Sequence, residues 1–140
     1  MVLVVATGVF DIIHPGHVLY LEEAKKLGDR LVVIVARDEH VRRRKGRQPI
    51  PEEQRLLVVK SLKPVDDAVL GDLDDIMTPI VSLKPDVIAL GYDQDFKIEE
   101  LSEMLDAAGV KAKVVRIRSH WTGELNSTRK ILKRIRGEFA

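Results

Sequence analysis

A chain of 140 residues is about the size of one ordinary domain, and such a chain buries roughly 68–70% of its unfolded surface without needing a disulfide or a structural metal. It has no cysteine, which excludes disulfide frameworks, thiolate zinc sites and cysteine nucleophiles and fits a reducing cytoplasm. Its 23 basic and 22 acidic side chains nearly cancel, so no global field draws it to nucleic acid or to an anionic membrane. The opening MVLVVATG has no basic leader and no apolar run reaches the ~20 residues of a bilayer span, so a soluble, cytoplasmic protein that binds neither membrane nor nucleic acid is expected.

Val2 to Ala6 is a continuous valine-rich run ended by Thr7 and Gly8, the pattern of a central strand. Pro15 suits a first helical position, and Val18, Leu21, Ala24 and Leu27 recur at helical spacing until Gly28, which is expected to close the helix in a left-handed cap. Leu31 to Ala36 makes a second strand. From Arg37 to Pro51 the pattern breaks into a basic stretch, RRRKGR, and predicts an exposed, mobile loop.

Pro51, Glu52 and Glu53 then open a helix in the order the macrodipole favours, carrying Leu56, Val59 and Leu62. Ala68 to Leu70 is a short third strand, 71–75 a turn, and Ile76 to Leu83 a short helix. Val87 to Leu90 repeats the central-strand signature and runs into the polar loop GYDQDF. An amphipathic helix over 98–108 closes at Gly109, Val114 to Ile117 is a fifth strand, and Asn126 or Ser127 caps a last basic helix reaching about Arg136.

This βαβα rhythm predicts a single α/β domain over 1–140, a Rossmann-like parallel five-stranded sheet with helices on both faces and right-handed connections. In the order 3-2-1-4-5 the sheet reverses between strands one and four, where ligands bind beyond the carboxyl ends. The stretch ATGVFDIIHPGH would then face GYDQDF.

His14 and His17 lie three apart at a proline-opened helix start, whose free amides attract anions, so together they read as a phosphate clamp. Gly16 is expected to leave room for a phosphate beside the backbone. A histidine metal site is the rival reading, but His40 and His120 do not fall at ligand-like spacing. Neither a Walker A pattern nor GxGxxG is present.

Thr7-Gly8-Val9-Phe10-Asp11 followed by His14-Pro15-Gly16-His17, with Asn126-Ser127-Thr128-Arg129 near the other end, resembles the opening and closing motifs of the HxGH nucleotidyltransferases. Over about the whole chain, VARDEHV, KGRQPIPEEQR, LKPVDDAVLG and KPDVIALGYDQDF are similar to the archaeal-type FAD synthase branch. The related glycerol-3-phosphate cytidylyltransferases usually carry a tryptophan in the strand-four loop and an RTEGISTT-like closing motif, where this chain has GYDQDF and ELNSTRK.

The resemblance implies transfer of AMP from ATP to FMN, with Mg²⁺ or another divalent ion held mainly by the triphosphate and none of its ligands expected from protein. It implies that His14, His17 and Lys45 stabilise the reacting phosphates, and that Gly8, Val9, Phe10, Pro15, Gly16, Gly91, Asp93, Trp121, Ser127, Thr128 and Arg129 bind the nucleotide. Asp11 faces the acceptor or organises the turn, and Arg55 contacts a phosphate or forms an exposed ion pair with Glu52. For Trp121, stacking on a ligand and ordinary packing both stay open. Relatives of this branch are commonly dimers, so a homodimer is expected. Two alternatives remain: a cytidylyltransferase using CTP and a small phosphate such as glycerol 3-phosphate, and a nucleotide-binding module that has lost catalysis.

Overall fold

The computed structural model describes residues 1–73 and 75–137. Five strands, β1 (Leu3–Gly8), β2 (Arg30–Val35), β3 (Asp67–Leu70), β4 (Val87–Leu90) and β5 (Lys113–Arg116), form one parallel sheet in the order β3-β2-β1-β4-β5. The expected order 3-2-1-4-5 is the observed one. Six helices connect or follow them: α1 (Pro15–Lys25), α2 (Asp38–Lys45), α3 (Glu52–Lys60), α4 (Met77–Leu83), α5 (Ile98–Ala107) and α6 (Thr128–Ile135).

Successive strand residues point to opposite faces, so a strand apolar throughout must be covered on both. Val4 and Ala6 of β1 join Leu31, Val33 and Val35 of β2 beneath Leu21 and Ala24 of α1 and Val59 of α3. Val5 between them joins Ile34 and Ile88 beneath Met77 and Ile80 of α4 and Leu101 and Leu105 of α5. Burying one such leucine or isoleucine side chain contributes about 1.5–3 kcal/mol. The two helical layers are therefore what keeps the middle of β1, Val4 to Ala6, dry.

Two expectations fail. The basic stretch after Arg37 is not a mobile loop: Asp38–Lys45 is α2, with Asp38 and Glu39 in its first turn and Arg42 to Lys45 in its last. Glu39 pairs with Arg42 at 3.0 Å and Arg43 at 3.2 Å, so charge order along the dipole supports this helix in place of an apolar stripe; Val41 is its one buried residue. The second concerns Gly28, which has no left-handed φ. A Cβ there would lie 2.7 Å from the Val2 carbonyl oxygen and from Val4 Cγ2, so its role is close packing beside β1. The left-handed residues at helix ends are Gly46 after α2, Lys84 after α4, Gly109 after α5 and Gly137 after α6. The turn expected over 71–75 includes residue 74, which lies outside the described residues, as do residues 138–140 of the expected domain. Among the described residues no helix is long and apolar enough to cross a membrane.

Candidate active site

β1 separates from β4 just past their last paired residues, Ala6 and Ala89. Tyr20, on α1, fills the seam: its hydroxyl donates to the Ala89 carbonyl at 2.7 Å and accepts the Thr7 amide at 3.3 Å. Burial pushes that hydroxyl far above its ordinary pKa. Beyond the seam lies a cavity of about 800 Å³, lined by the corner after β1, by α2, by the GYDQDF loop and by the start of α6.

The corner is held by a reciprocal cap at the start of α1. His14 is the N-cap residue, and its Nδ1 accepts the Gly16 amide at 3.0 Å; the His14 amide in turn donates to His17 Nδ1 at 3.2 Å. Because both Nδ1 atoms are acceptors, each ring carries its proton on Nε2. The rings lie with centroids 4.0 Å apart, and Phe10 packs against His17 at 5.4 Å. Burial, reinforced by the neighbouring His14 and Lys45, lowers the pKa of His17 to about 4. Burial also lowers that of His14, against the pull of Asp93. At neutral pH the pair is thus two uncharged imidazoles, each with one Nε2–H donor left for a ligand.

Two glycines permit this arrangement. A Cβ on Gly16 would lie 2.7 Å from His14 Cε1, and one on Gly8 would lie 2.7 Å from the Phe10 ring. Gly16 makes room for the histidine that caps it, and it also lines the cavity. Phe10 itself sits at φ 55°, a left-handed conformation for a bulky residue that costs on the order of 1–3 kcal/mol.

The second wall is the start of α6. Ser127 is its N-cap, accepting the Lys130 amide at 3.2 Å, and the Thr128 hydroxyl donates to the Ile12 carbonyl at 3.4 Å. That contact joins the two helix starts around one space. Lys45, at the end of α2, lines it from the other side.

A cytidylyltransferase-like family model matches residues 5–134. The chain belongs to the cytidylyltransferase-like family. Its relatives include the FAD synthase of Ferroglobus placidus, 63% identical over 132 residues that cover 94% of this chain and 86% of the relative. The FAD synthase of Archaeoglobus fulgidus is 55% identical over 130 residues, 93% and 94% of the two chains. Among solved structures, one described as the lipopolysaccharide core biosynthesis protein from Thermoplasma volcanium GSS1 superposes with a TM-score of 0.82 at 49% identity, covering 87% of this chain and 99% of that one. A pantoate-beta-alanine ligase from Francisella tularensis, 13% identical with a TM-score of 0.55 over 86% of this chain and 60% of that one, shares the fold alone.

One cavity gathers His14, His17, Lys45, Gly8, Val9, Phe10, Gly16, Gly91, Asp93, Trp121, Ser127, Thr128 and Arg129. Pro15 is exposed and lies outside it, at the first position of α1. Arg55 is neither of the things expected of it. It is 1% exposed, and its guanidinium donates to the carbonyls of Ile50 at 2.6 Å, Val9 at 2.9 Å and Ala36 at 2.7 Å and to the Asp38 carboxylate at 2.5 Å. Glu52 pairs instead with Arg37 at 2.8 Å. A guanidinium so enclosed binds the ends of β1 and β2 together and has no route to a substrate phosphate. Asp11, which lines the cavity, accepts the Ile50 amide at 2.7 Å and pairs with Arg47, so it organises the chain after α2.

Three residues that pattern reasoning passed over complete the site. Gln94 accepts the Gly91 amide at 2.8 Å and donates to the Thr7 carbonyl at 2.9 Å, tying the loop after β4 to the end of β1. Arg116, on β5, donates to the carbonyls of Gly91 at 2.9 Å, Gln94 at 2.7 Å and Phe96. Tyr20 is the third; as the one phenol on the buried side of α1 it was the most discoverable.

Proposed function

We propose that this protein is an FAD synthase, transferring AMP from ATP to FMN and releasing pyrophosphate, as a cytoplasmic homodimer. The observation that carries the substrate assignment is near full-length identity of 53–63% to eight curated relatives that bear that name. The Thermoplasma volcanium structure carries a different name, but at 49% identity it is more distant than any of them.

The chemistry follows from the clamp. An oxygen of the FMN phosphate attacks the α-phosphorus of ATP, a new P–O bond forms, and the bond to the bridging oxygen breaks as pyrophosphate departs. No general base is required, since a phosphate monoester has its second pKa near ~6 and is already largely dianionic. His14 and His17 donate Nε2–H bonds to the α- and β-phosphates, where negative charge grows in the transition state. Ser127, Thr128 and the free amides of α6 receive the β- and γ-phosphates, with Lys45 and Arg129 adding positive charge. Among the described residues no group of three or more His, Asp or Glu side chains could hold a metal ion. A divalent cation belongs to this reading as part of the nucleotide substrate, chelated by the triphosphate, where it neutralises phosphate charge.

The decisive assay measures pyrophosphate release in two mixtures with Mg²⁺, ATP plus FMN and CTP plus glycerol 3-phosphate, with FAD identified by its mass. FAD formation in the first mixture is expected; turnover confined to the second would replace this reading with the cytidylyltransferase one. Light scattering on the same sample reads the dimer.

A further inference from the structure

Packing does little to place α2. Val41 is its one buried residue, so polar ties at its two ends set where it lies. At its start the Asp38 amide donates to Glu52 at 2.8 Å and the Asp38 carboxylate accepts from Arg55. At its other end two ion pairs leave from either side of Lys45. Arg44 reaches Asp95 at 3.3 Å, in the loop after β4, and Arg47 reaches Asp11, in the corner after β1. Between them Gly46 turns the chain at a left-handed φ of 65°, and a Cβ there would meet nothing within 4 Å. The end of α2 is thus slung between two loops with no packing at its turn.

We propose that Arg44 and Asp95 are positioning residues for Lys45, their ion pair strapping the end of α2 across the cavity and holding the Lys45 ammonium over the reacting phosphates. The proposal rests on the FAD synthase reading only for placing Lys45 at the triphosphate, a step that any nucleotide donor would share. Three observations support it. Arg44, Lys45 and Asp95 all line the cavity, and the charge of Lys45 is felt at His17, so the strapped residue faces the clamp. Asp95 is a fixed anchor although its side chain is 87% exposed, because Arg116 holds the carbonyls on either side of it, Gln94 at 2.7 Å and Phe96, and Phe96 packs against the core. The helix being held, by contrast, has only Val41 to keep it in place by packing. An exposed ion pair contributes little to the stability of a fold, yet the same small energy shifts a charged side chain between two positions several-fold.

Steady-state FAD formation from ATP and FMN with Mg²⁺ tests this on the wild type, Asp95→Asn, Arg44→Glu, the exchanged pair Arg44→Glu with Asp95→Arg, and Lys45→Gln with and without Asp95→Asn. Asp95→Asn should lower kcat ~2- to ~5-fold and leave the KM for FMN unchanged. A field effect alone has the opposite sign, since removing a carboxylate from a phosphate-binding cavity favours the anions. The exchanged pair should recover most of the activity that Arg44→Glu loses. In Lys45→Gln, adding Asp95→Asn should cost nothing further, because the residue it positions is gone. The proposal is overturned by Asp95→Asn protein as active as the wild type or more so, by an exchanged pair no better than Arg44→Glu, or by an Asp95→Asn loss as large in Lys45→Gln as in the wild type. Wild-type protein that makes no FAD yet turns over CTP with glycerol 3-phosphate would refute the FAD synthase reading, and the same variants are then read in that reaction.

Discussion

The helices of this protein begin in two different ways. α2, α3 and α5 each place two acidic residues in the first turn, Asp38 and Glu39, Glu52 and Glu53, Glu99 and Glu100. α4 has none there, but the Asp75 carboxylate accepts its Met77 amide at 2.9 Å. Each of these positive helix ends is thus met by an anion belonging to the protein. α1 and α6 have no acidic residue in the first turn and are capped by neutral groups, His14 and Ser127. Both of these starts line the cavity, where the starts of α2 and α4 also contribute Arg37, His40, Ile76 and Pro79. The difference separates helix starts closed by the protein's own anions from two starts left without one, which the proposed reading assigns to phosphates.

The largest test concerns the closed kind. On α3, the buried Arg55 is wholly engaged by Asp38 and three carbonyls, and Arg55→Ala leaves the partly buried Asp38 carboxylate without its cation. Removing one partner of a buried ion pair costs about 3–5 kcal/mol, which urea denaturation should register as a lower midpoint. A variant that keeps its stability while its KM for FMN rises would return Arg55 to the substrate and break the contrast.

The open kind makes a prediction about pH. His17 has a pKa of about 4 in the folded protein against an ordinary 6.5, so between those values the unfolded chain takes up a proton that the folded one refuses. Its contribution is complete above about pH 6.5 and is lost as pH falls toward 4, amounting to about 3 kcal/mol. His14 and His40, also lowered by burial, act in the same direction. Urea denaturation at pH 7.5 and 4.5 should therefore show a drop in the wild type that shrinks in His17→Asn. Activity should follow a different group: between pH 7 and 5 kcat/KM should track protonation of the FMN phosphate near ~6, since His17 stays neutral there. An equal drop in both proteins would mean that His17 is not the group refusing the proton.

How far this could be read in the sequence follows from the same contrast. Strands buried on both faces spell themselves out as runs such as VLVVA and LVVIVA, and Gly, Pro and capping residues punctuate them, so topology and the starts of α1 and α6 were legible. The two motif ends also place two of the cavity's walls. What escaped were side chains whose partners are backbone carbonyls distant in sequence: Arg55 reaching Val9 and Ala36, Arg116 reaching Gly91, Gln94 reaching Thr7. No local pattern marks such a donor, because its acceptors exist only once the sheet has formed. The helix α2 was missed for a related reason. Its order comes from charge placed along the dipole, which apolar spacing does not reveal.

Arg129 gives the finest test, because it should move stability and affinity in opposite directions. It lies in the first turn of α6, where a cation is unfavourable to the helix dipole and useful to a bound triphosphate. Arg129→Glu would give α6 the kind of start that α3 has. The helix should gain about 0.3–1 kcal/mol, seen as a small rise in Tm, while the KM for ATP should rise ~10-fold or more from charge repulsion. The reverse change on α3, Glu53→Arg, should lower Tm by a similar small amount and leave both KM values alone, since that helix start faces no ligand. If Arg129→Glu raised Tm without touching the KM for ATP, the open start of α6 would be an accident of composition, and the clamp would consist of α1 alone.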